Sequence, residues 1–170
     1  MKIINYNMNR PIILIGFPTS GKTTLGKKVS DIYNLKFIDL DDYFTNLKGI
    51  TPEKFILENG FSLYRDEEYI ILKNILEKDY DIISTGSGII ENENSRKLLI
   101  DQNNVVFLNK KYDLLEKCIY KRFPNLYNES FENLYQRRIY YYRLCADFIL
   151  DTSKFNINES TKILVNFFFF

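Results

Sequence analysis

The chain has 170 residues, 45% of them apolar and 26% charged, and its 23 basic and 22 acidic side chains leave a net charge of +1. That is enough apolar material for one real core, and the charge balance excludes the basic face that a nucleic-acid binder needs. Histidine is absent, which excludes a histidine-built zinc site and leaves proton transfer to a carboxylate, a lysine, a tyrosine or the substrate itself.

No apolar run approaches the roughly 20 residues of a membrane span, and the first ten residues are polar, without a signal-peptide core. Cys118 and Cys145 show no C-x-x-C spacing. Two free thiols in a reducing compartment, the cytoplasm, are expected.

Ile12 to Ile15 reads as a buried strand. Directly after it, Gly16-Phe17-Pro18-Thr19-Ser20-Gly21-Lys22-Thr23 fits the phosphate-binding pattern G-x-x-x-x-G-K-[ST]. Gly16 and Gly21 let the backbone curl so that its amides face phosphate oxygens. Lys22 sets a point charge on the outer phosphates, and Thr23 offers its hydroxyl to Mg²⁺. Lys22 to Tyr33 is then a helix whose N-terminus faces the same anion, with Leu25, Val29 and Ile32 on its apolar face.

Phe37-Ile38-Asp39 is a second strand, running into Leu40-Asp41-Asp42. Carboxylates at the carboxyl end of a strand lie where open α/β sheets take ligands. Asp39 and Asp41 share a face if the strand continues, and a P-loop needs an acidic Mg²⁺ partner; the alternative is a helix cap, the role expected of Asp42. Thr51-Pro52 starts a short helix to Glu58. A long helix follows from Phe61 to Glu77, and its run Arg65-Asp66-Glu67-Glu68 reads by itself as a solvated face.

Asp81 to Ser84 is a third strand. The Thr85-Gly86-Ser87-Gly88 stretch after it requires close backbone approach, either in a tight turn or to a ligand. A helix from Glu91 to Ile100, a strand at Val105 to Leu108 and a helix from Lys111 to Lys121 come next. Residues 122–130 break the periodicity and read as a loop or as an arginine-bearing lid. Phe131 to Arg143 is helical, Phe148 to Asp151 is a fifth strand, and Asn158 to Phe170 closes the chain with a phenylalanine tail that packs on the sheet or a neighbour. Alternating strands and helices predict an α/β fold of three layers, with a five-stranded parallel sheet between helices.

These landmarks together resemble the shikimate kinase family, which has the nucleoside monophosphate kinase form of the P-loop NTPase fold. The resemblance runs along the whole chain: Gly16 to Gly26, Asp39-Leu40-Asp41, Tyr64-Arg65-Asp66-Glu67-Glu68, Thr85-Gly86-Ser87-Gly88, and Arg138 with Tyr142 and Ala146-Asp147. It implies one domain over 1–170 with a short mobile lid at about 122–130. It implies ATP and Mg²⁺, held by Gly16, Ser20, Gly21, Lys22, Thr23 and Thr24, with Thr23 and Asp39 on the metal. Asp41, Lys22 and Arg122 would be catalytic; Asp41, Arg65, Gly86, Ser87, Gly88 and Arg138 would bind substrate, the two arginines clamping a carboxylate. The implied reaction is phosphorylation of the shikimate 3-hydroxyl on the way to chorismate and aromatic amino acids, by a monomer without nucleic-acid or membrane partners. Two alternatives stay open: a catalytically weakened nucleotide-binding regulator, suggested by Ser87 in place of glycine and by the altered lid, and a kinase of another small hydroxy acid.

Overall fold

The computed structural model describes residues 11–122 and 130–168, leaving aside the side chains of residues 120–122. In chain order it contains β1 (Ile12–Ile15), α1 (Lys22–Tyr33), β2 (Phe37–Asp39), α2 (Leu40–Lys48), α3 (Pro52–Asn59), α4 (Phe61–Leu76) and β3 (Ile82–Ser84). A 3₁₀ turn (Ile89–Glu91), α5 (Glu93–Ile100), β4 (Val105–Asn109), α6 (Tyr112–Arg122), α7 (Phe131–Cys145), β5 (Phe148–Asp151) and α8 (Ile157–Phe168) follow. The five strands are parallel, in the order β2-β3-β1-β4-β5, so the expected fold class stands. Among the described residues no helix is long and apolar enough to cross a membrane.

Alternation along β1 builds the three layers. Ile12 and Leu14 pack with Leu25, Val29, Leu164 and Val165 of α1 and α8. Ile13 and Ile15 turn the other way, toward Ile71, Leu72, Leu134 and Tyr142 of α4 and α7. The expected tail packing is met by Phe168, which is buried, and by Phe167, stacked on Phe148 at 4.1 Å.

Two expectations need correction. Ile32 is 55% exposed; α1 instead buries Leu25, Gly26, Val29 and Ser30, because Gly26 lets the Phe37 ring lie against the helix where a Cβ would overlap it. The strand does not continue to Asp41. Asp39 itself caps α2, accepting the amides of Asp41 (3.0 Å) and Asp42 (3.4 Å), so Asp42 is not the cap. An early cap ends the strand because one carboxylate satisfies two orphan amides of the first helical turn.

The order in which strands are added reverses at β1, with β2 and β3 on one side of it and β4 and β5 on the other. The carboxyl ends of these strands therefore open the crevice in which doubly wound sheets hold ligands.

Candidate active site

The loop between β1 and α1 closes around its own lysine. Gly21 takes φ 101° to cap α1, a backbone that favours glycine. Lys22 Nζ donates to the carbonyls of Gly16 (2.9 Å) and Phe17 (3.0 Å). Burial drives its pKa down to about 8, against the opposing pull of Asp41 and Asp39. Thr19 is held at φ 64°, an uncommon conformation for a β-branched residue. The hydroxyls of Thr19 and Ser20 are buried and meet no hydrogen-bond partner among the described residues. Orphan donors beside a lysine and a helix N-terminus fit phosphate oxygens.

Thr23 Oγ1 donates to Asp39 Oδ2 at 2.6 Å. The same carboxylate that caps α2 thereby reaches α1, and this hydroxyl–carboxylate pair supplies the hard oxygen donors Mg²⁺ prefers. Asp41, in the first turn of α2, accepts a hydrogen bond from the Tyr64 hydroxyl at 3.0 Å. Burial first, and then the charges of Glu68 and Asp39, raise its pKa from 3.8 to about 7, although Tyr64 and Lys22 pull the other way.

Asp41 stands where two cavities meet. The smaller, about 170 Å³, runs from Lys22 and Asp41 past Tyr64 to Arg65, Glu68 and the Gly86-Ser87-Gly88 loop. The larger, about 740 Å³, shares Lys22, Thr23, Asp39 and Asp41 and extends past Thr24 and Lys27 to Lys110 and Cys118.

The glycine loop is tight because side chains pass over it. A Cβ on Gly86 would overlap a Glu68 carboxylate oxygen and come within 2.9 Å of Asp41 Oδ1; one on Gly88 would overlap the Arg65 guanidinium. Ser87 sits between them without a positive φ, and its carbonyl accepts from the Tyr142 hydroxyl. The run read as a solvated face is partly buried: the Arg65 and Glu68 side chains are 11% and 5% exposed and form an ion pair. Arg138 is 1% exposed and gives Nε and Nη2 to the two oxygens of Glu91 at 3.2 and 3.0 Å. Arg65 donates Nε to Oε2 of the same Glu91 at 3.1 Å, with Nη2 in ion-pair range of that oxygen at 3.1 Å. The two arginines are thus brought together, but Arg65 lines the smaller cavity and Arg138 does not.

A family model of shikimate kinase matches residues 18–168. The curated shikimate kinase of Staphylococcus aureus is 35% identical over 165 residues, covering 92% of each chain. The chain belongs to the shikimate kinase family.

Solved shikimate kinases share the architecture. The Aquifex aeolicus enzyme aligns with a TM-score of 0.76 at 27% identity, over 92% of this chain and 95% of its own. The Acinetobacter baumannii enzyme, solved with shikimate, aligns at 0.82 over 94% of both chains, with 24% identity. As a shikimate kinase this chain converges Gly21, Lys22, Thr23, Asp39, Asp41, Arg65 and the glycine loop on one crevice, with Thr24 at its outer edge; Gly16 holds Lys22 through its carbonyl, and Ser20 is buried in the loop behind the crevice lining. The Arg122 side chain and residues 123–129 of the expected lid lie outside the described residues.

Sequence reasoning missed Glu68, Glu91 and Lys110. Glu68 had a signal, since it lies three residues from Arg65 on one helix. Lys110 donates Nζ to the Thr19 carbonyl at 3.2 Å across 91 residues, and Glu91 pairs with Arg138 across 47; no spacing rule reaches that far.

Proposed function

We propose that this shikimate kinase transfers the outer phosphoryl of ATP to the 3-hydroxyl of shikimate, giving shikimate 3-phosphate and ADP, with the residues converged on the crevice in defined roles. The observation that carries this reading is Asp41 at the junction of two cavities, one ending at Arg65 and the other bounded by the P-loop.

Asp41 orients the attacking hydroxyl and takes its proton as the new P–O bond forms and the bond to the ADP oxygen breaks. A carboxylate with a pKa near 7 is matched to that task. Tyr64 fixes its rotamer through the 3.0 Å hydrogen bond. Lys22 leaves its two carbonyl partners for the phosphates and, with the loop amides and the Thr19 and Ser20 hydroxyls, stabilises charge on the transferring group. Thr23 and Asp39 would hold Mg²⁺, which neutralises phosphate charge when bound. Arg65, with Arg138 behind it, meets the substrate carboxylate, and Arg122 completes the phosphoryl contacts. Positioning and electrostatics supply most of the rate, since the transition state needs little covalent help.

The whole chain acts in this reading as one catalytic domain, monomeric and cytoplasmic, in line with two free cysteines. The test is ADP release with shikimate, quinate, gluconate and nucleoside monophosphates side by side, with Mg²⁺ and ATP. Turnover with shikimate alone or far ahead of the rest is expected. ADP release with gluconate or a nucleotide exceeding that with shikimate would remove the assignment.

A further inference from the structure

Glu91 is the last residue of the 3₁₀ turn that follows the glycine loop, and its backbone is pinned on both sides. Its amide donates to Gly88 O at 2.9 Å. Its carbonyl accepts from Arg96 Nη1 at 3.1 Å, and the Arg96 guanidinium stacks 4.2 Å over the Tyr141 ring. The Glu91 side chain is 20% exposed, so water screens its charge only partly.

Around this carboxylate stand Arg65 from α4 and Arg137 and Arg138 from α7, all within hydrogen-bond distance. Glu68 pairs with Arg65 three residues back on the same helix, and its charge also acts on Arg138, so it supports the direct tie that Glu91 makes between the helices. Glu91 is in direct contact with both Arg65 and Arg138. Without it, two like-charged guanidiniums face each other in a poorly solvated place.

The way Glu91 is used leaves room for a substrate. It takes the Nε and Nη2 side of Arg65, and Glu68 takes Nη1. A guanidinium carries five N–H groups, so the outer edge of Arg65 still has donors, and Arg65 lines the cavity.

We propose that Glu91 is a positioning residue for the acid subsite: its carboxylate locks Arg65 against the buried Arg138 in one pre-set cationic pair, whose cavity-lining member, Arg65, meets the carboxylate of the substrate. The proposal rests on the kinase reading above. It gives Glu91 no contact with substrate and no part in phosphoryl transfer. Its signature is therefore selective for the acid.

The experiment is steady-state kinetics of the full chain carrying Glu91→Gln or Glu91→Asp, with shikimate and ATP varied in turn. Loss of a charged tie predicts that E91Q raises KM for shikimate about 10-fold while KM for ATP stays within about 2-fold. E91D keeps the charge one methylene short, and its KM for shikimate falls between wild type and E91Q. An unchanged KM for shikimate overturns the proposal, as does a parallel rise in both KM values. A lower KM for shikimate overturns it too, since Glu91 would then be competing with the acid. If E91Q does not fold, E91D decides by itself: a rise confined to KM for shikimate supports the proposal and any other result overturns it. Failure of the wild-type chain to phosphorylate shikimate would undo the kinase reading itself, and that outcome is seen separately, before any variant is compared.

Discussion

Asp41 concentrates the conflict between stability and chemistry in one side chain. Burial and its neighbours Glu68 and Asp39 raise its carboxyl to about 7. A raised carboxyl pKa means that the fold prefers the proton: the resulting stability is fully present below the ordinary value of 3.8 and is lost as pH rises through about 7. Asp41→Asn, neutral at every pH, escapes that loss. In metal-free buffer its melting temperature should exceed that of wild type by a few degrees at pH 8, with the gap closing by pH 4; at roughly 1.4 kcal/mol per pKa unit the effect is within reach of calorimetry. The same variant should bind ATP as before and lose about 10²-fold or more in kcat, the usual worth of a positioned general base. Equal melting curves at both pH values would show that Asp41 carries no electrostatic strain. Glu91 is the opposite case. Burial would raise it, but Arg138, Arg65 and Arg137 outweigh burial and hold it at about 2.

Between elements, the glycine loop matters for what crosses it. Gly86 and Gly88 lack the Cβ atoms that would strike Glu68, Asp41 and Arg65, so β3 and α4 close together with the charged side chains of α4 threaded over the turn. Gly88→Ala should push the Arg65 guanidinium aside without touching the P-loop. KM for shikimate is expected to rise about 10-fold or more, as charged hydrogen bonds are lost, with KM for ATP little changed. An alanine variant with wild-type KM for shikimate would mean that Arg65 relaxes at no cost, and that its seat against the loop does not hold it in place. The cap of α2 works in the same way between elements: Asp39 ends a strand, begins a helix and holds the Thr23 hydroxyl of α1.

Across the whole molecule, the two halves of the crevice are joined by an aromatic cluster beneath it. Phe17 of the P-loop is fully buried, stacks on Tyr135 at 5.0 Å and meets Tyr142 edge-on at 4.8 Å. Tyr142 stacks on Phe107 and donates to Ser87. The phosphate loop, α7 with its Arg138, and the glycine loop therefore share one packing unit. Phe17→Ala should cost about 3–5 kcal/mol and lower the melting temperature by about 10 °C. Because the cluster underlies both cavities, the variant should raise KM for ATP and for shikimate together, unlike the acid-selective changes at Gly88 and Glu91. A stability loss with both KM values intact would show that the cluster is only core.

The amino-acid order by itself determined the local features: the strand–glycine–lysine–helix cradle, the five apolar runs, and the carboxylates placed just past the second strand. These depend on neighbours a few residues apart, which periodicity, capping and turn chemistry report directly. It reached Arg65 and Arg138 through resemblance, since on spacing the charge run of α4 reads as a wet face. Tertiary structure alone decided that Glu68 is buried against Arg65, that Arg138 meets Arg65 through Glu91, and that Lys110 reaches the Thr19 carbonyl. Those pairings join distant segments in a desolvated crevice. Their energies depend on distance and dielectric in space, which a linear string does not encode position by position.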